Sequence, residues 1–133
     1  MNKIRSCIDY INALLEKEFE DIKWEQKVLA PVVSKETTGY IYLDDISFKK
    51  IDKMHEMAEV VCCVDIYSTN PKMEAWPIED LALDVRKCLM KNRTFGNWAY
   101  DSYCDDIVFG TPQGMNKIGR AIIFLKIQIV LEE

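Results

Sequence analysis

Glycine and proline are scarce: five and four among 133 residues. A chain so poor in both is neither collagen-like nor a low-complexity linker. Histidine is almost missing, since His55 stands alone. A His/Cys zinc site would therefore lean on the cysteines. Cys7, Cys62, Cys63, Cys88 and Cys104 are odd in number and contain no Cys-x-x-Cys spacing, which argues for reduced structural thiols rather than a metal site or a disulfide framework. Positive charge is in deficit too, with 17 Lys and Arg against 22 Asp and Glu and a net charge of -5. That balance does not suit a duplex-DNA or anionic-membrane binder. No uncharged apolar run approaches the ~18 residues that span a bilayer, and the start of the chain reaches polar residues before a signal-like apolar stretch can form. The expectation is a soluble protein that stays in the compartment where it is made.

What is present is half apolar (49%) and well charged (29%), the composition of one folded domain, residues 1–133, with a sizeable core. Ile4, Ile8, Ile11, Leu15, Phe19 and Ile22 recur every three or four positions and predict an amphipathic helix over about 2–22. The run Val28-Leu29-Ala30-Pro31-Val32-Val33 reads as an edge strand or packed loop, because its proline cannot donate to a central ladder. Tyr40 to Leu43 reads as a short strand closed by Asp44-Asp45. A long strand over 54–68 follows, with Ala58, Val60, Cys62, Val64 and Ile66 on its continuously apolar side.

After the turn chemistry of Ser68 to Lys72, Trp76-Pro77 opens a second helix carrying the stripe Ile78, Leu81, Ala82, Val85 and Leu89. Glu79 and Asp80 lie near its positive end, Lys87, Lys91 and Arg93 near its negative end, and Gly96 provides a stop. A strand over Trp98 to Phe109 and a glycine-punctuated connection from Gly110 to Gly119 lead to the last strand. There Ala121, Ile123, Leu125, Ile127, Ile129 and Leu131 share one side. The reading is an α+β fold with a mostly antiparallel sheet and two helices packed on one face. Its expected core includes Ile8, Ile11, Leu15, Val64, Leu81, Val85, Leu89, Ile123, Leu125 and Ile127.

The residues offer no catalytic residues, no metal site and no cofactor site. Asp44-Asp45 and Asp105-Asp106 are vicinal acids, and neighbours on a regular strand face opposite ways. Gly110, Gly114 and Gly119 match neither Gly-x-Gly-x-x-Gly nor a Gly-Lys-Ser/Thr phosphate loop. His55 reads as a half-exposed residue on the mixed side of its strand, and Cys62-Cys63 as two opposed core thiols. The connection after Phe109 combines Phe109 and Met115 with Lys117 and Arg120, a mixture suited to binding a partner. Together with Tyr67 on the mixed side of the long strand, these are the candidate protein-interface residues.

The order of elements is an amphipathic helix, a meander ending in the long strand Ala58 to Ser68, the helix Trp76 to Lys91, and a closing pair ending in Arg120 to Leu131. Over essentially the whole chain this layout resembles the tail terminator, or tail-completion, proteins of long-tailed bacteriophages. The resemblance implies a non-enzymatic virion protein, made in the host cytoplasm, that forms a six-subunit ring at the head-proximal end of the tail. Its partners would be further copies of itself, the tail tube protein and the head–tail connector proteins, with DNA passing through unbound and no membrane involved. Two alternatives stand beside it: a neck or head-completion adaptor of a virion, and a small enzyme or ligand-binding α+β domain using His55, Asp65 or Tyr67.

Overall fold

A computed structural model describes residues 2–26, 37–69, 76–110 and 118–132. The elements follow in the order α1 (Lys3–Glu18), β1 (Lys23–Glu25), β2 (Thr38–Lys50), β3 (His55–Thr69), α2 (Trp76–Lys91), β4 (Asp101–Gly110) and β5 (Ile118–Glu132). The five strands form one sheet in the order β1-β2-β3-β5-β4. Only the short β1–β2 pairing is parallel, and β2–β3, β3–β5 and β4–β5 are antiparallel. Both helices pack on one face, so the fold is the α+β arrangement expected from the sequence. The predicted apolar run at residues 28–33 lies outside the described residues.

α1 begins where Asn2 caps it, its side chain accepting from the Arg5 backbone N–H. Cys7, Ile8, Ile11 and Leu15 make its buried stripe. The helix ends at Glu18, four residues short of the expected end. Phe19 leaves helical geometry, and its carbonyl takes the Ile22 N–H and the Trp24 indole N–H at 3.2 Å each. The chain thereby turns into β1 with Trp24 buried. Trp24 pairs across Gly39, and a Cβ at Gly39 would collide with the indole ring. That close approach explains the glycine.

The apolar alternation of β3 and β5 places Ala58, Val60, Cys62, Val64 and Ile66 beside Ala121, Ile123, Leu125, Ile127 and Ile129 under the helices, all buried. Ile8, Ile11, Leu15, Ala82, Val85 and Leu89 close over them in one apolar cluster. Leu81 is only partly buried and packs at its margin. At the end of α2 the Asn92 amide donates to the Cys88 carbonyl at 2.9 Å, satisfying one terminal acceptor. Gly96 is not the immediate stop. It lies in the following turn at φ +65°, between Phe95 at +44° and Asn97 at +68°, and Tyr100 re-enters the sheet through its N–H to the Gln128 carbonyl.

Candidate interaction surface

β2 does not close at Asp44-Asp45. It continues to Lys50, and a register shift between Leu43 and Asp45 absorbs one extra residue. β4 has a matching shift between Cys104 and Asp106. These are β-bulges, which add a residue, bend the strand and break strict alternation. Both lie beside one transverse row of the sheet, Leu43–Cys62–Leu125–Cys104. The rule that vicinal acids face opposite ways therefore fails here. Asp105 reaches Lys126 at 2.9 Å, and Asp106 is cross-strand from Phe124, two residues from Lys126 on the same face, so both acids serve the face turned away from the helices.

The outer edge of β4 is covered by α2. Arg86 donates to the Cys104 carbonyl through Nε and Nη2 at 3.0 and 2.9 Å. The Cys104 N–H points at Met90 Sδ at 3.5 Å, and Arg93 Nε donates to the Ser102 carbonyl while its fork also holds Asp101. An exposed strand edge invites pairing with another chain, and these side chains occupy the groups that would do so. The β2 edge beyond Tyr40 has no such cover among the described residues. Beside it, between α1 and β2, runs a cleft of about 360 Å³ with Ile4, Ile8, Ile41, Leu43 and Ile46 among its lining.

Among the described residues, the outer sheet face carries one buried charged group. Asp65, 3% exposed, receives Arg120 in a two-pronged ion pair at 3.0 and 2.8 Å. Tyr42 donates its hydroxyl to the same carboxylate at 3.0 Å, with the Tyr67 hydroxyl at 3.4 Å. The Arg120 guanidinium also lies 5.0 Å from the centre of the Tyr67 ring, which meets Tyr40 edge-on. Burial, followed by the Asp65 charge, pushes the Tyr67 phenol up to about 12 and raises Tyr42 as well. The hydrogen bond to Asp65, with the Asp65 charge, pushes Arg120 upward, so the guanidinium stays charged at neutral pH. Both carboxylate oxygens are engaged. The cluster ties β2, β3 and β5 together, and its chemistry is that of a structural lock.

The interface residues chosen from sequence are thus divided. Tyr67 is buried and Arg120 is committed to Asp65, whereas Phe109 is 45% exposed near the end of β4. Met115 and Lys117 lie outside the described residues. His55 is half-exposed, as read, and its Nδ1 sits 3.0 Å from both oxygens of Asp52. Burial raises the Cys7 thiol to about 12 and the Cys63 thiol to about 11, with Cys62 raised too, so these thiols are protonated near neutrality. Among the described residues no group of three or more His, Cys, Asp or Glu could hold a metal ion.

Sequence reasoning overlooked a second patch. The β2–β3 hairpin carries Phe48, Ile51 and Met54, each more than half exposed, among Lys49, Lys50 and Lys53. The mixture of apolar and basic residues that draws attention to residues 109–120 is equally visible at 48–54, but a strand closed at Asp44-Asp45 and another starting at 54 leave most of that stretch outside any predicted element. Tyr100 and Tyr103 are also exposed by more than half, beside the acids of β4. In comparisons of sequence, no protein-family model matches the chain and no curated protein matches it.

Proposed function

We propose that this chain is a non-enzymatic structural subunit that works by assembling with copies of itself into a ring, in the manner of the phage tail terminators its layout resembles. The observation that carries the reading is the placement of exposed apolar side chains. They gather at Phe48, Ile51 and Met54 on the hairpin and at Tyr100, Tyr103, Val108 and Phe109 along β4, on opposite sides of one sheet. Large apolar groups rimmed by charge mark interaction surfaces. Two different patches per subunit are what a head-to-tail contact needs, and such contacts close into rings when the rotation permits. On this reading the ring caps the tail tube and joins it to the head, and DNA passes through an acidic subunit without sticking.

Light scattering and negative-stain imaging of the purified protein, alone and mixed with tail tubes, test the proposal. The expected result is a closed ring several times the mass of one chain, seated on tube ends. A protein that remains monomeric in both conditions refutes it.

A further inference from the structure

We propose that β2 pairs along its open edge with β2 of a second copy of this chain. The two strands run antiparallel about a twofold axis through Ser47, so that Asp45 of each copy faces Lys49 of the other and Ile46 faces Phe48. The two five-stranded sheets then run on as one, with the helices of both copies on the same face. The contact goes beyond the ring reading and does not rest on it. It leaves Met54 and all of β4 free for a head-to-tail neighbour.

The edge itself is the first support. At the far side of the sheet, Arg86, Met90 and Arg93 take up β4 backbone groups. β1 ends opposite Tyr40, and from there to Lys50 nothing among the described residues covers the outer N–H and C=O groups of β2. Such a row is a template for another strand.

The second support is register. In an antiparallel ladder, residues opposite one another either exchange both hydrogen bonds or exchange neither. Outward-facing backbone groups alternate along an edge, so a strand meeting its own copy must place the twofold through a residue and not between two. Past the bulge, the regular stretch of β2 is Asp45 to Lys50. Centred on Ser47, it sets Asp45 against Lys49 twice and Ile46 against Phe48 twice. Centred on Phe48 it would set Lys50 against Ile46 and Asp45 against Ile51, and centred on Ile46 it would run its ladder into the bulge. The faces agree as well. Asp45 and Lys49 lie opposite Val61 and Met57 of β3, on the side away from the helices, while Ile46 and Phe48 lie opposite Val60 and Ala58 on the helix side.

The third support is what the pairing satisfies. Asp45 and Lys49 are exposed, and neither has an ion-pair partner among the described residues. Phe48 is 59% exposed. Beyond the ladder, Lys50 and Ile51 of the second copy come level with Leu43, itself exposed at the cleft between α1 and β2. Lysines and bulges on an edge ordinarily deter pairing. Here the bulge marks one end of the ladder, and Lys49 disfavours any incoming strand without an acid at the matching position. The chain's own β2 supplies that acid.

Asp45→Lys and Lys49→Asp each set like charges against one another at both ends of the ladder. The double variant Asp45→Lys/Lys49→Asp restores opposite charges, and so does an equimolar mixture of the two single variants. Folding of each is checked by circular dichroism. In analytical ultracentrifugation over a concentration series, wild type is expected to self-associate, and each single variant to need at least about tenfold higher concentration for half-association. The double variant and the mixture should both recover. Ser47→Cys gives a second reading: its thiols would meet across the twofold, and mild oxidation should yield a disulfide-linked dimer that wild type does not form. Folded single variants that associate as wild type does would overturn the contact, and rings that persist in them would leave the ring reading standing. Dissociation without recovery in the double variant and the mixture would overturn the contact too. A linked dimer together with wild type that never grows beyond a dimer, alone or with tail tubes, would uphold the contact and refute the ring. Wild type that is monomeric at every concentration, with Ser47→Cys that does not link, would overturn the contact.

Discussion

Arg120 and Asp65 stand 55 positions apart in the chain, yet their meeting organises the outer sheet face. A buried carboxylate is expensive unless it is paired and hydrogen-bonded, and this one receives two guanidinium bonds and a nearby phenol. The same cluster sets a pH dependence. Tyr67 ionises at about 12 in the folded chain against 10.0 ordinarily, because burial and the Asp65 charge both disfavour phenolate. The unfolded phenol gives up its proton first as pH rises. The contribution of this group is therefore complete below about pH 10 and is lost progressively towards 12. Denaturant titrations across that interval are expected to show falling stability in wild type and a shallower fall in Tyr42→Phe/Tyr67→Phe. Identical slopes would mean that these phenols are not held neutral by the fold. From sequence, Tyr67, Arg120 and Asp65 were each visible as notable residues, but their union was not. Pairing across β3 and β5 is a matter of register, and one residue of slip would have sent Arg120 to the opposite face.

At the scale of elements, the long periodic segments were the most legible. The limits of α2 and the core side of β5 emerge as read, because a helix with charge-matched ends and a strand alternating over many residues each admit one reading. Leu125 lies at zero exposure in the row that also holds both bulges' neighbours. Leu125→Ala is expected to cost about 2–5 kcal/mol in a denaturant titration, with Glu132→Ala close to neutral. Equal effects would displace β5 from the centre of the core. The bulges were not legible. Asp44 looks like a strand breaker to a period-two pattern, and Asp105 like an ordinary member of its strand; only the partner strands reveal that each is an inserted residue within a continuing ladder. The extent of β2 was missed for that reason, and with it the hairpin that it carries. The early end of α1 has a similar cause: Phe19 and Ile22 keep helical spacing, but the Trp24 indole draws the chain away at Phe19.

For the molecule as a whole, the placement of β5 has a consequence in time. β3 and β4 share no ladder with each other. They run parallel with β5 inserted between them, antiparallel to both, and β5 comes after every strand in the chain. A growing polypeptide that has already made β3, α2 and β4 still carries two strands whose facing edges are empty. α2 can shield the far side of β4 through Arg86 and Arg93, but among the described strands it is β5 that fills the gap between β3 and β4. Closure waits for one late strand to thread into it, and contacts of such long sequence separation are slow to form. Refolding followed by pulsed hydrogen exchange should find β3, β4 and β5 amides gaining protection in a single step, later than those of the helices. A β4 protected ahead of β5 would contradict this order. The strand that completes the core is thus also the timer of folding, and until it arrives the unfinished chain offers other chains a vacancy of exactly one strand's width.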